Sequence, residues 1–139
     1  MKDARWLVLE TLETFFSALF NPFGLGILSL FLASGSIMLG IGVAIGLRRR
    51  YRCLFLYIIP FLASQALVAI SGFLIGSGTT ELTAKVQITF LVGLAVLCIF
   101  ILYKCRKALM AAIALSYFNL VYGLLAAFMA GMALTNDWI

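Results

Sequence analysis

Four long stretches without a charged side chain dominate this sequence: Thr14 to Leu47, Cys53 to Thr80, Val86 to Tyr103, and Ala108 to Asn136. A helix needs about 20 apolar residues to cross the hydrocarbon of a bilayer, so each stretch has room for one crossing. The alternation of a membrane β-barrel is absent, and backbone polar groups in lipid are satisfied only within helices or closed barrels. The spacing therefore predicts an all-α integral membrane protein with spans near Gly24–Leu47, Cys53–Gly76, Gln87–Tyr103 and Ala108–Ala133. The third is the shortest, and a start ahead of Lys85, by snorkelling of that side chain, stays open.

The composition agrees. Of 139 residues, 65% are hydrophobic and 11% charged, against about 25% charged in soluble domains. A single membrane domain covers 1–139, with an N-terminal helix over 2–21, a first hairpin over 22–80 and a second over 86–136.

Charge placement orients the chain. Arg48, Arg49, Arg50 and Arg52 fall between the first two spans, and Lys104, Arg106 and Lys107 between the last two. These turns are an even number of crossings apart, so they share a side, and neither contains an acid. The excess of basic residues marks that side as cytoplasmic and places both termini outside. A bacterial inner (plasma) membrane is the expected location. The basic turns are expected to meet anionic lipid headgroups at about 1 kcal/mol per charge. Nucleic acid is not expected as a partner, because topology alone accounts for the charge.

The chemistry of most enzymes is missing from this inventory. There is no histidine, and the carboxylates are Asp3, Glu10, Glu13, Glu81 and Asp137, none within a long apolar run. Cys53, Cys98 and Cys105 lack metal-ligand spacing, and no phosphate-binding glycine loop is present. Neither catalysis nor a cofactor is expected. Cys53 and Cys105 lie beside the basic turns and are expected to be free thiols.

Over residues 2–21, Asp3, Glu10, Thr14, Ser17 and Asn21 share one helical face, and Trp6, Leu9, Leu12, Phe16, Leu19 and Phe20 the other. This reads as an amphipathic helix lying in the outer interface and ending at Asn21-Pro22. Glu10 and Glu13 interrupt the apolar stretch, unlike a removable signal peptide.

Within the spans, small and polar residues mark faces for helix contact. Ser36, Gly40 and Ala44 recur at intervals of four, and Gly42 with Gly46 forms a GxxxG pair. The last span repeats the interval with Asn119, Gly123, Ala127 and Gly131. In lipid, helices associate by close backbone approach and interhelical hydrogen bonds, which such residues permit. Packing inside one subunit and packing between subunits are both open. Gln65 and Asn119, with Ser64 and Ser116 nearby, form an intramembrane polar set that is either a packing clamp or the lining of a conduit. Pro60 is expected to bend the second span. Shifting residue 106 onto residue 52 also aligns Lys104 with Arg50, Asn119 with Gln65, Gly123 with Ala69 and Gly131 with Ser77, the pattern of a parallel hairpin repeat.

Two families share this layout. The run GSIMLGIGVAIG (Gly35–Gly46) resembles the inner-ring helix of the proteolipid c subunits of rotary ATPases, and VYGLLAAF (Val121–Phe128) resembles their outer helix. The resemblance implies a ring of hairpins, but the family's ion-carrying carboxylate would stand about six residues before Gly72 or Gly123, where this chain has Ala66 and Tyr117. Ion translocation by that mechanism does not carry over, and neither does any functional residue. In topology, basic turn and N-terminal helix the chain also resembles the conjugative pilins of type IV secretion, single hairpins that pack with lipid into tubes. It departs from them in its doubled hairpin and in having no obvious leader. The expected function is a non-enzymatic membrane subunit that acts by packing into a homo-oligomeric or multi-protein envelope assembly. A small channel or transporter with a polar path near Gln65 and Asn119 is the alternative, and a holin-like permeabilising protein the third reading.

Overall fold

The computed structural model describes residues 4–21, 26–49 and 52–136. All regular structure among them is helical: α1 (Ala4–Phe20), α2 (Ile27–Arg49), α3 (Ile58–Phe73), α4 (Thr80–Lys104) and α5 (Leu109–Thr135), with 3₁₀ turns at Arg52–Tyr57 and Arg106–Ala108. Among the described residues, four helices are long and apolar enough to cross a membrane: Ile27–Arg48, Arg52–Phe73, Thr80–Lys104 and Arg106–Thr135. The first expected boundary, Gly24, lies outside the described residues. The third span begins at Thr80 rather than Gln87, because Thr79 caps it by accepting a hydrogen bond from the Leu82 amide at 3.3 Å. Lys85 then lies one turn inside the helix, paired with Glu81 on a fully wet surface.

The bundle is organised around α5. Within its apolar window 67% of residues are buried inside the protein, against 17% for α4. Helices α2, α3 and α4 each pack along α5, whereas α2 and α3 make almost no contact with each other. The expected first hairpin is thus a hairpin in connectivity and not in packing. Nor do the two hairpins repeat one arrangement, since α3 is peripheral where α5 is central. The reason is local: α5 brings small residues such as Ala111, Ala112, Gly123, Ala127 and Gly131 to its buried sides, so three neighbours approach it closely.

Helix α1 docks on the bundle through a face that the sequence did not mark. Its buried residues are Ala4, Leu7, Thr11, Phe15 and Ala18, a single stripe at intervals of three and four. Leu9, Phe16, Leu19 and Phe20, from the face expected to meet the membrane interface, are exposed. The Thr11 hydroxyl donates to the Leu7 carbonyl at 2.8 Å, which removes the cost of burying it. Helix α1 starts beside Gly72 at the end of α3 and runs to the middle of α5, where Phe15 meets Phe118 and Tyr122 with ring centroids 5.6 and 5.1 Å apart. It wedges between α2 and α3, and Phe61 of α3 completes the aromatic cluster 5.1 Å from Tyr122.

Two clusters of buried side chains result. One joins α1, α2, α3 and the C-terminal two-thirds of α5. The other joins Leu54, Tyr57, Ile101, Cys105, Ala108 and Leu115, so both basic turns lie at the same end of the bundle, as their spacing predicts. At the opposite end the Gly76 and Gly78 amides donate to the Ala133 and Leu134 carbonyls at 3.0 and 3.1 Å, closing the last turn of α5. Gly76, with φ of 71°, occupies the left-handed region that this turn requires. The bend expected at Pro60 takes the form of a change from 3₁₀ to α-helix two residues earlier, which leaves Pro60 in a first turn where its missing amide hydrogen is tolerated.

Candidate functional site

Among the described residues, polar side chains form four clamps onto α5, one of them the Ser34 hydroxyl of α2 bonded to the Tyr117 hydroxyl at 2.8 Å. At the basic end the Tyr57 and Ser116 hydroxyls are hydrogen bonded at 2.8 Å, and Asn119 donates to the Leu115 carbonyl at 2.9 Å and to the Tyr57 carbonyl at 3.4 Å. One turn further along, Gln65 of α3 donates to the Tyr122 hydroxyl. On the far side, Gln87 of α4 donates to the Ala127 carbonyl at 2.8 Å. Across a dry interface each such bond contributes about 0.6–2 kcal/mol. Gln65 and Asn119 are therefore separate clamps rather than one network. Ser64 turns back to the Pro60 carbonyl at 3.0 Å and joins neither.

The small residues divide by face. Gly123 and Gly131 on α5 are seats: a methyl group at Gly123 would collide with Leu94, and one at Gly131 with the Gln87 amide. Ala127 is buried between them, so this stripe is spent on α4 within the chain. On α2, Gly42 receives Leu115 and Gly46 receives Leu54, while Ser36 is buried and donates to the Leu32 carbonyl. Gly40 and Ala44 do the opposite of what their spacing with Ser36 suggests. Gly40 has nothing within 4 Å of a would-be side chain, and Ala44 is exposed. Gly93 on α4 is equally open. A turn advances 100° per residue, so Ser36 and Ala44 diverge by enough to leave opposite edges of one stripe in different surroundings.

At the basic end Arg48, Arg52, Lys104, Arg106 and Lys107 are all exposed. Arg49 closes α2, and Arg50 lies outside the described residues. Lys104 rests over the Phe100 ring and Arg106 over Tyr103, with centroid distances of 5.1 and 5.4 Å. Between the turns all three cysteines are thiols. Burial first, then the hydrogen-bonded Cys53 thiol, pushes the Cys105 thiol up, which keeps it protonated and unreactive.

A cavity of about 530 Å³ opens between α2 and α3 at this end. It occupies the gap those helices leave below α1: Phe16 closes its inner end, Leu115, Phe118 and Asn119 of α5 form its floor, and Arg52 stands at its mouth.

Tyr57, Gln87, Phe15 and Phe61 were not among the residues singled out from the sequence. For Gln87 a signal exists in hindsight of its spacing: it is the one amide of the third stretch, opposite the Gly131 it covers. No family model matches the chain, and neither a curated protein nor a solved structure is similar enough to count as a match.

Proposed function

We propose that the chain is a four-span integral membrane protein, with its basic end in the cytoplasm and the Ala4 and Asn136 ends outside, that acts without catalysis by packing into a homo-oligomeric or multi-protein assembly of a bacterial plasma membrane. The observation that carries this reading is the sorting of the glycines. Those facing α5 each accept a side chain, while Gly40 on α2 and Gly93 on α4 face outward with open space above them. Glycine in the middle of a helix costs about 1 kcal/mol relative to alanine in water, so two left open on the outer faces are explained by a second helix approaching there. The basic turns meet anionic lipid on the cytoplasmic face.

The test is the mass of the particle in a mild detergent, by native mass spectrometry or electron microscopy. A multimer that dissociates on Gly40→Leu or Gly93→Leu supports the proposal; a monomer of both wild type and variants, with no other chain bound on extraction from the native membrane, refutes it. The channel or transporter reading draws on Asn119 lining the cavity. Replacing both Gln65 and Asn119 with leucine separates the two, since loss of flux from an intact particle favours the conduit and loss of stability favours the clamps.

A further inference from the structure

The cavity has properties that the packing of α2 and α3 does not explain. Its walls are apolar, from Phe16, Leu39, Val43, Ile58, Phe61 and Phe118, and its volume falls in the range of about 300–1,000 Å³ that single ligands occupy. Its rim is open to the side: Val43 and Leu47 of α2 are 44% and 73% exposed, and Phe55 before α3 is 70% exposed. Along α2 the lining runs from Leu39 to Leu47, a rise of about 12 Å.

The mouth decides the polarity of the occupant. Arg52 lines it and makes no ion pair with any described residue, and exposed Arg48 follows Leu47 directly. No carboxylate occurs anywhere between Thr14 and Thr80, so this positive edge has no local counter-charge. An apolar slot parallel to the spans with an arginine at its lipid-headgroup end has the chemistry of a lipid site. We infer that the cavity takes one acyl chain of an anionic phospholipid from the cytoplasmic leaflet, its phosphate held by Arg52. The inference rests on the proposed insertion and orientation. The acyl chain fills the space that α1 leaves open, and so couples α2 to α3 where those helices make almost no contact.

The experiment uses the full chain in vesicles of phosphatidylglycerol and phosphatidylcholine, extracted in mild detergent and examined by native mass spectrometry. One phosphatidylglycerol is expected to persist on the wild type. Arg52→Gln should lower its occupancy about tenfold, the loss of one charge-assisted contact. Val43→Trp and Leu47→Trp, which fill the slot from its rim, should lose the lipid altogether, while Ile37→Trp, exposed on α2 away from the cavity, should keep it. Equal retention by wild type and Arg52→Gln overturns the inference, and so does retention of phosphatidylcholine at the same level. A change in particle mass on Val43→Trp with lipid retained also overturns it, because a second copy would then be the occupant. Alkali extraction and side-specific labelling of Cys53 read insertion and orientation separately. A correctly inserted protein without bound lipid removes this inference and leaves the membrane assignment standing.

Discussion

Replacing Gly72 with alanine should detach α1 from the bundle. A methyl group built at Gly72 lies 2.6 Å from the Ala4 Cα and 3.0 Å from its Cβ. Carbon atoms rest at about 3.5–4.0 Å, so the two backbones must part by roughly 1 Å. No rotamer change relieves this, because the nearest atom is main chain. Overpacking of this kind costs about 1–3 kcal/mol, which for a chain of this size lowers the melting temperature by roughly 3–10 °C. The matched controls are Gly40→Ala and Gly93→Ala, where a methyl group meets nothing within 4 Å; in the dissociated chain these should melt at or above the wild-type temperature, since alanine favours helix. Circular dichroism in mild detergent gives the melting point, and tryptic cleavage after exposed Arg5 reports whether α1 is docked. If Gly72→Ala melts with the controls and remains protected at Arg5, α1 is not wedged against α3 and the arrangement described for it is wrong.

Other perturbations test the clamps. Gly131→Ala should cost the wild type about 0.6–2 kcal/mol, the hydrogen bond lost when the flexible Gln87 amide swings aside, yet be tolerated when combined with Gln87→Ala, a double-mutant cycle that fails if Gln87 is not seated there. Tyr57→Phe should cost about 1 kcal/mol in thermal unfolding, and Ser116→Ala should add little to it because the two hydroxyls share one bond. Maleimide should label partly exposed Cys53 and spare buried Cys98 and Cys105, which mass spectrometry of digested protein resolves. Raising the pH through the ordinary thiol range should leave Cys105 protected. Its raised pKa contributes stability that is complete below that range and declines as pH climbs above it, so alkaline melting curves should fall less steeply in Cys105→Ser.

Much of this architecture was legible in the residue order because charge is unambiguous in an apolar chain. Arg48 to Arg52 and Lys104 to Lys107 bracket the turns, and the turns do meet at one end. The glycine pairs were legible as contact faces, and Gly42, Gly46, Gly123 and Gly131 are that. Which faces meet which was not. Leu9 and Leu7 are chemically alike, yet one is exposed and the other buried. When nearly every face of a helix is apolar, hydrophobic periodicity carries no direction, and burial is decided by fit between particular pairs such as Gln87 with Gly131. Thr11 carried no signal of its burial for a related reason, since its back-bond to Leu7 lets a polar residue behave as an apolar one. The cavity had no local signature either, being a property of two helices that make almost no contact.

The central place of α5 sets an order of assembly. It is the last of these helices to leave the ribosome, yet α2, α3 and α4 each find their principal partner in it. Until it is made, α2, α3 and α4 have almost no mutual surface to settle on, and α1, which packs on α2 and α3, lacks the Phe118 and Tyr122 rings that receive Phe15. Tertiary structure in this chain is therefore a late and cooperative event, built from contacts between residues far apart in sequence, which are slow to form. Shortening α5 would release every helix at once.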